Sequence, residues 1–137
     1  MLIASARVGV FALNPICIVD DDDAVRDSLR ALLETHRLEV CDFPSADALL
    51  ANDKLNAFAC FVVDFQMPGM NGLELLEALR ARGARQRAIV ISAARAAPSE
   101  KRAHRAGVVA WLVKPVAETE LMGWISRAIE ASHASLQ

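Results

Sequence analysis

Residues 58–72 read FACFVVDFQMPGMNG, an unbroken apolar run that ends on one carboxylate, Asp64, and continues in turn residues. A run of this length, rich in Phe and Val and followed by Pro-Gly and Asn-Gly, predicts a strand buried on both faces. Such strands belong to parallel sheets covered by helices. In these sheets ligands bind outside the carboxyl ends of the strands, so Asp64 is placed for chemistry. The alternative is that Asp64 only caps the following loop.

The composition indicates one soluble domain. The chain has 137 residues and is 54% hydrophobic, which is enough for a core that needs no disulfide or metal. No apolar stretch approaches the ~20 residues that a membrane-spanning helix requires. Cys17, Cys41 and Cys60 are odd in number and lack Cys-x-x-Cys spacing, so neither a disulfide framework nor a zinc site is indicated. We therefore expect a cytoplasmic protein without a membrane partner.

The formal charge is distributed unevenly along the chain. Residues 1–79 contain 13 acidic and 5 basic residues, a net charge of −8, whereas residues 80–137 contain 4 acidic and 10 basic residues, a net charge of +6. Such asymmetry can steer a charged partner. A set of separately solvated arginine side chains is the simpler alternative.

The chain divides into an N-terminal extension, one domain and a short tail. In residues 1–14, Arg7 interrupts the apolar run and leaves a core shorter than the ~7–15 residues of a secretion signal. We assign residues 15–132 to the folded domain and residues 133–137 to a polar C-terminal tail.

Five predicted strands alternate with five helices, which is typical of a doubly wound α/β domain with a parallel sheet. Asp22 or Asp23 and Ser45 are suited to cap helices at their first turns, and Gly107 to end the fourth helix. That fourth helix, at residues 99–106, lacks a strong apolar stripe, so we expect it to shift most easily. The strands are predicted at residues 15–19, 38–43, 58–64, 88–92 and 108–113.

Four of these strands end on polar side chains: Asp20 and Asp21, Asp64, Ser92 and Lys114. Each could be a separate cap or surface charge, but the ends of parallel strands lie at one edge, which argues for a single site. Three converging carboxylates require a cation, and their oxygen ligands suit Mg²⁺. Lys114 and Ser92 would hold a phosphoryl oxygen. Asp64 would then be the nucleophile and form an aspartyl phosphate.

These residues resemble the receiver domain of bacterial two-component response regulators over residues 15–132. The stretches Ile-Val-Asp-Asp and Asp-x-x-Met-Pro-x-Met-x-Gly are most similar to receivers of nitrogen-fixation type transcriptional activators. The resemblance implies a flavodoxin-like fold of five strand and helix pairs, with strand order 2-1-3-4-5.

The resemblance also implies a role for each site residue. Asp64 matches the phosphoacceptor, and Lys114 matches the lysine that pairs with the phosphate. The remaining matches are the Mg²⁺ ligands and the switch residues: Asp20, Asp21, Asp64 and the backbone carbonyl of Gln66 for the metal, Ser92 and Trp111 for the switch.

Trp111 departs from the family pattern because it is bulkier than the usual Tyr or Phe. An inward swing of this ring needs a larger pocket, which Ala93 and Ala94 would provide. The alternative is that Trp111 packs on the final helix as part of the core.

The implied function is transfer of a phosphoryl group from a histidine kinase to Asp64, with slow self-dephosphorylation and no turnover of an external substrate. Phosphorylation would alter the surface of the fourth helix, fifth strand and fifth helix, where a downstream protein binds, and a homodimer is a further implied outcome. Basic residues on that side suggest an acidic protein partner rather than nucleic acid. They are Arg95, Lys101, Arg102 and Arg105.

Other functions stay open at this point. A phosphatase of the haloacid dehalogenase class needs a second Asp two positions after the nucleophile, where this chain has Gln66. A flavin carrier needs a phosphate cradle after the first strand, where this chain has four Asp. A receiver-like interaction module that is never phosphorylated, and a receiver cut from a longer DNA-binding transcriptional regulator, are the closer alternatives.

Overall fold

The computed structural model describes residues 14–93 and 99–136, with side chains as far as Ser132. Its helices are α1 (Asp23–Thr35), α2 (Ala46–Leu50), α3 (Gly72–Ala81), α4 (Glu100–Arg105) and α5 (Glu118–Leu136). A single 3₁₀ turn lies at Leu55–Ala57 within the described residues. The strands are β1 (Ile16–Val19), β2 (Val40–Phe43), β3 (Cys60–Asp64), β4 (Ala88–Ser92) and β5 (Val108–Val113).

The strands form one parallel sheet in the order β2-β1-β3-β4-β5. This confirms the doubly wound flavodoxin-like fold that the resemblance implied. From β1 the chain passes to β2, which lies on one side of β1. From β2 it returns to β3, which lies on the other side of β1. A crevice therefore opens at the carboxyl ends of β1 and β3, where such sheets bind ligands.

Alternate residues of the central strands pack on opposite faces of the sheet. In β1, Cys17 and Val19 belong to the core cluster that includes residues of α2 and α3. Ile16 and Ile18 belong to the cluster that includes residues of α1 and α5. The same period of two runs through β3. Helices therefore cover both faces, as the continuous apolar run in residues 58–63 predicted.

Several helix ends match the sequence. Asp22 and Ser45 accept backbone N–H groups at the first turns of α1 and α2, and Gly107 has a φ of +86° directly after α4. Helix α3 begins with a capping box in which Asn71 and Glu74 each accept the other's backbone N–H. The pattern Asn-x-x-Glu before an apolar run resembles the sequence signature of such a box, which was not among our predictions.

Strand β2 begins two residues later than predicted. Arg37 adopts a left-handed φ of 63°, and the Leu38 N–H donates to the Leu33 carbonyl at 3.2 Å. These contacts close the end of α1, so Leu38 completes the helix terminus instead of starting the strand.

Helix α5 runs to Leu136, so residues 133–136, which we assigned to the C-terminal tail, are helical. Ser132 does not stop the helix because its hydroxyl donates to the Ala128 carbonyl at 2.7 Å, a bond that a mid-helix Ser can make. None of the described helices is long and apolar enough to cross a membrane.

Residues 94–98 lie outside the described residues. They include Ala94, which we expected beside Ser92, and Arg95, which we expected in the basic surface near α4.

Candidate functional site

Three carboxylates meet at the carboxyl ends of β1 and β3. Asp20 directly follows β1, Asp64 is the last residue of β3, and the preceding residues Val19 and Val63 are partners in the sheet register. One oxygen each from Asp20, Asp21 and Asp64 lies within 4.8 Å of the other two. Asp20 and Asp64 are buried, and Asp21 is exposed. The sheet therefore brings together the three acidic residues that the sequence predicted.

The four consecutive aspartates perform different local tasks. Asp20 Oδ1 accepts the Asp22 backbone N–H at 2.9 Å, which turns the chain after β1. Asp22 then caps α1, and Asp23 contacts Arg26. The guanidinium of Arg26 also donates to the Asp20 carbonyl at 2.8 Å. This turn orients the Asp20 side chain, while Asp21 remains available to solvent.

Lys114 lies beside the Asp64 carboxylate. Its Nζ is 3.1 Å from Asp64 Oδ1. That oxygen is buried and has no partner among the described residues that meets the geometry of a hydrogen bond, so we describe the contact as an ion pair. Lys114 follows β5, and its backbone N–H donates to the Ser92 carbonyl at 2.9 Å. The Lys114-Pro115 peptide bond is cis. The sheet thus positions the lysine that the sequence predicted next to the predicted nucleophile.

The buried carboxylates are costly to ionise. Burial raises the pKa of Asp64 above its ordinary value, and the ammonium of Lys114 only partly opposes this effect. Burial also raises the pKa of Asp20, against the lowering effect of the Asp22 N–H. Like charge acts in the same direction as burial: the Asp64 carboxylate raises the pKa of Asp20, and the Asp21 and Asp22 carboxylates raise the pKa of Asp64. A divalent cation would relieve this repulsion, and clustered carboxylate oxygens are the donor set that Mg²⁺ prefers. The residues therefore fit the metal.

Ser92 and Gln66 complete the edge of the site. Ser92 is fully buried at the end of β4, one residue after Ile91, the register partner of Asp64. The Gln66 side-chain oxygen accepts the Ala93 backbone N–H at 3.2 Å. This bond joins the loop after β3 to the loop after β4, and the sequence did not reveal it. The metal-binding role of the Gln66 carbonyl stays a prediction.

An apolar cavity of about 440 Å³ adjoins the carboxylates. Asp64 and Lys114 line its polar end. Val25 and Leu29 of α1 and Val116 after β5 contribute apolar walls. The apolar walls lower the polarity of the surroundings of Asp64 on this side, which strengthens its electrostatic interactions.

Comparison with known proteins assigns the chain to a family. Residues 16–126 match the family described as response regulator receiver domain. The chain belongs to this family. Receiver domains are components of two-component signalling, and they typically bind Mg²⁺ at an acidic pocket.

Relatives with curated names include transcriptional regulators. This receiver is 37% identical to the transcriptional regulatory protein FixJ of Azorhizobium caulinodans over 118 residues, 86% of this chain and 56% of that protein. It is 36% identical to the response regulator protein TodT of Pseudomonas putida over 115 residues, 84% of this chain and 51% of that protein. The chain therefore spans about half the length of these relatives.

Solved structures agree with the sequence comparison. The response regulator StyR superposes with a TM-score of 0.83 at 34% identity, covering 90% of this chain and 63% of that one. The structure named FixJ-N has a TM-score of 0.76 at 33% identity, covering 85% of this chain and 94% of that one.

Trp111 of this receiver packs on the sheet face opposite α5. Its ring lies 4.9 Å from that of Phe65, the residue after Asp64, and it joins the cluster that contains α3 residues. The alternative in which Trp111 packs on the final helix is therefore wrong. Its Nε1 is buried without a hydrogen-bond partner among the described residues. The role of Trp111 as a switch stays a prediction.

Helix α4 packs on the rest of the receiver through side chains that are only partly buried. None of its residues is buried. Arg102 Nε and Nη2 each donate to a Glu77 carboxylate oxygen at 2.7 Å, which ties α4 to α3. Arg102 is thus paired within the receiver, because α3 brings the Glu77 carboxylate within reach. The acidic protein partner that we expected for the basic residues near α4 stays a prediction.

Proposed function

We propose that this receiver accepts a phosphoryl group from a histidine kinase on Asp64. The observation that carries the proposal is the cluster of Asp20, Asp21 and Asp64 oxygens within 4.8 Å of one another, with Lys114 Nζ 3.1 Å from Asp64. This combination of a crowded acidic site and one adjacent ammonium supports phosphoryl transfer more directly than a set of separate caps does.

Transfer would exchange one bond to phosphorus for another. A carboxylate oxygen of Asp64 attacks the phosphorus atom of the donor's phosphohistidine, and the electron pair of the breaking P–N bond remains on the imidazole. The ammonium of Lys114, which already contacts the Asp64 carboxylate, can form an ion pair with an oxygen of the incoming phosphoryl group. The Ser92 hydroxyl would donate to another of these oxygens.

Asp20, Asp21, Asp64 and the backbone carbonyl of Gln66 would hold Mg²⁺. The bound ion would supply positive charge that offsets the negative charge gathered on the carboxylates and phosphoryl oxygens. Asp20 is oriented for this role by the Asp22 N–H.

Phosphorylation would then favour one of two existing arrangements of the receiver. Ser92 and Trp111 are the proposed switch residues. Helix α4 has no buried residue, so it is the element that we expect to shift. A downstream protein would bind the surface of α4, β5 and α5, and homodimerisation of the phosphorylated form is a further proposed outcome. We place the receiver in the cytoplasm, with the domain at residues 15–132 after an extension at residues 1–14.

Intact-mass spectrometry after incubation with Mg²⁺ and acetyl phosphate tests the proposal. We expect the wild type to gain one phosphoryl group, and Asp64→Asn to gain none. Asp53→Asn is the matched control because Asp53 is exposed and precedes the amino end of β3, whereas Asp64 lies at the carboxyl end of that strand, so this variant should be phosphorylated as the wild type is. An unmodified wild type that nevertheless binds Mg²⁺ would instead support a phosphorylation-independent interaction module.

A second proposal concerns the kind of regulator in which this receiver acts. Because this chain spans about half the length of FixJ and TodT, it is suited to act as the receiver part of a longer transcriptional regulator. Identification of an effector domain in the same open reading frame would support this proposal, and a stop codon directly after residue 137 would contradict it.

A further inference from the structure

Arg26 connects the two ends of the acidic turn, the name we give to the four consecutive aspartates at residues 20–23. Its Nη1 donates to the Asp20 carbonyl at 2.8 Å, and its Nη2 contacts the Asp23 carboxylate. The Arg26 side chain is 14% exposed, whereas that of Asp23 is 85% exposed. One partly buried guanidinium therefore holds the first and the last residue of the turn at the same time.

The backbone of the acidic turn decides how two proposed metal ligands are placed. Adjacent carboxylates repel each other, so the turn does not hold its shape through its own side chains alone. Asp20 Oδ1 is fixed by the Asp22 N–H at 2.9 Å. Asp21 is exposed, and the position of its carboxylate follows the backbone on either side of it. A contact that closes the turn thus orients both ligands.

A guanidinium is suited to this double contact. It carries its N–H donors in a fixed plane, so two neighbouring nitrogens can donate to two different acceptors at once. A lysine ammonium presents its donors from a single nitrogen on a flexible stem. Lysine at position 26 would keep the charge but would not reproduce the spacing between Nη1 and Nη2.

The charge of Arg26 and its geometry have opposite effects on cation binding. A guanidinium near the acidic site repels any divalent cation, so removal of the charge alone should tighten the binding of Mg²⁺ and Ca²⁺ by the same factor. Loss of the fixed turn should weaken the binding of Mg²⁺ selectively. The reason is that Mg²⁺ demands near-ideal octahedral geometry, whereas Ca²⁺ accepts a larger and more variable set of oxygen ligands.

We propose that Arg26 is a positioning residue of the acidic site and makes that site selective for Mg²⁺ over Ca²⁺. It acts through the Asp20 carbonyl and the Asp23 carboxylate and is not itself a ligand. The inference rests on the function proposed above, because it takes Asp20 and Asp21 as ligands of the ion. Groups that orient metal ligands in this way commonly change metal affinity by about 10–100-fold.

Calorimetric titration of the full chain with Mg²⁺ and, separately, with Ca²⁺ tests the assignment. We expect Arg26→Gln to weaken Mg²⁺ binding by roughly tenfold and Ca²⁺ binding by less than about twofold. Arg26→Lys retains the charge and should also lose Mg²⁺ affinity relative to Ca²⁺. Tighter binding of Mg²⁺ in Arg26→Gln, or an equal change for both ions, would reduce the effect to charge and overturn the proposal.

Arg30→Gln is the matched control on the same helix. It removes one positive charge from α1, but Arg30 pairs with Asp42 at 3.2 Å and with Glu34 at 3.3 Å, neither of which belongs to the acidic turn. This variant should keep the wild-type ratio of Mg²⁺ to Ca²⁺ affinity. A loss of that ratio as large as in Arg26→Gln would refute the specific role of Arg26. If Arg26→Gln does not fold, Arg26→Lys decides.

Amide hydrogen exchange in EDTA reports on the turn without a metal. The Asp22 N–H, which donates to Asp20 Oδ1, should exchange several-fold faster in Arg26→Gln than in the wild type or in Arg30→Gln. A wild type that binds neither ion would refute the proposed function and this inference with it. A wild type that binds Mg²⁺, beside an Arg26→Gln variant that binds it equally well, would refute only the role of Arg26.

Discussion

Gly72 is the point at which the packing of α3 constrains the acceptor residue. An added Cβ at Gly72 would lie 2.5 Å from the Asp64 carbonyl oxygen and 3.1 Å from Phe65 Cα. Both are backbone atoms, so neither can rotate away. The Gly72 N–H also donates to the Phe65 carbonyl at 2.9 Å, which holds the two segments together. We therefore expect Gly72→Ala to disturb both stability and the position of Asp64.

The magnitude follows from the distances. Ordinary contact begins at 3.4 Å, so the Asp64 carbonyl or the first turn of α3 must move by about 0.9 Å. Overpacking of this kind costs about 1–3 kcal/mol, and replacing Gly by Ala within a helix returns about 0.5–1 kcal/mol. The net loss of unfolding free energy is therefore about 0–2.5 kcal/mol, with a central value of about 1 kcal/mol. A displacement of about 1 Å at a reacting group can lower its rate by up to about 100-fold.

Urea unfolding and the initial rate of Asp64 phosphorylation by acetyl phosphate measure the two effects. Gly123→Ala is the matched control, because Gly123 lies within α5 with no atom within 4 Å of an added Cβ. We expect that control to gain up to about 1 kcal/mol and to retain the wild-type rate. The reasoning is refuted if Gly72→Ala is as stable as Gly123→Ala and is phosphorylated at the same rate.

Three further outcomes are expected. Because burial raises the pKa of Asp64, the folded state binds that proton more tightly than the unfolded state, and stability is lost as pH rises through the folded pKa. Asp64→Asn in EDTA should thus be more stable than the wild type at neutral pH but not at a pH below the ordinary Asp range, and a gain that is constant in urea titrations across pH would contradict this. Arg102→Ala removes both bonds to Glu77 and should speed amide hydrogen exchange in α4 several-fold, whereas Lys101→Ala should leave it unchanged; equal exchange in both variants would argue against the tie. Mg²⁺ at 100 times its dissociation constant should raise the unfolding free energy by about 2.7 kcal/mol, and an equal rise in Asp21→Asn would count against the proposed ligands.

Much of the site was predictable from short stretches of sequence. Runs of apolar residues that end on Asp20, Asp64, Ser92 and Lys114 mark buried strands and their carboxyl ends. In a parallel sheet those ends necessarily lie at one edge. The sequence alone therefore predicted that these side chains lie close together. The strand order itself came from the resemblance to receivers, and the sheet confirms it.

The surface of α4 was predicted less well. The sequence shows a basic cluster around Arg102, but the partner of Arg102 is Glu77, 25 residues earlier in the chain. Nothing in the local pattern of either residue indicates the other, because their distance depends on how α3 and α4 pack on the sheet. The pairing of Arg102 with Glu77 could therefore not be predicted, and the acidic protein partner of the basic residues near α4 stays a prediction.

Two regularities were enough to determine the fold class and the composition of the acidic site: side chains alternate along a strand, and parallel strands end at the same edge of their sheet. Both regularities depend only on the geometry of the backbone between neighbouring residues. The face on which Trp111 packs and the pairing of Arg102 with Glu77 were decided by contacts between segments distant in sequence. Alternation with a period of two residues indicates that neighbouring side chains point to opposite faces of the sheet, but it does not indicate which helix covers each face. Packing of the whole domain makes that choice, and with it the charges that remain available at the surface.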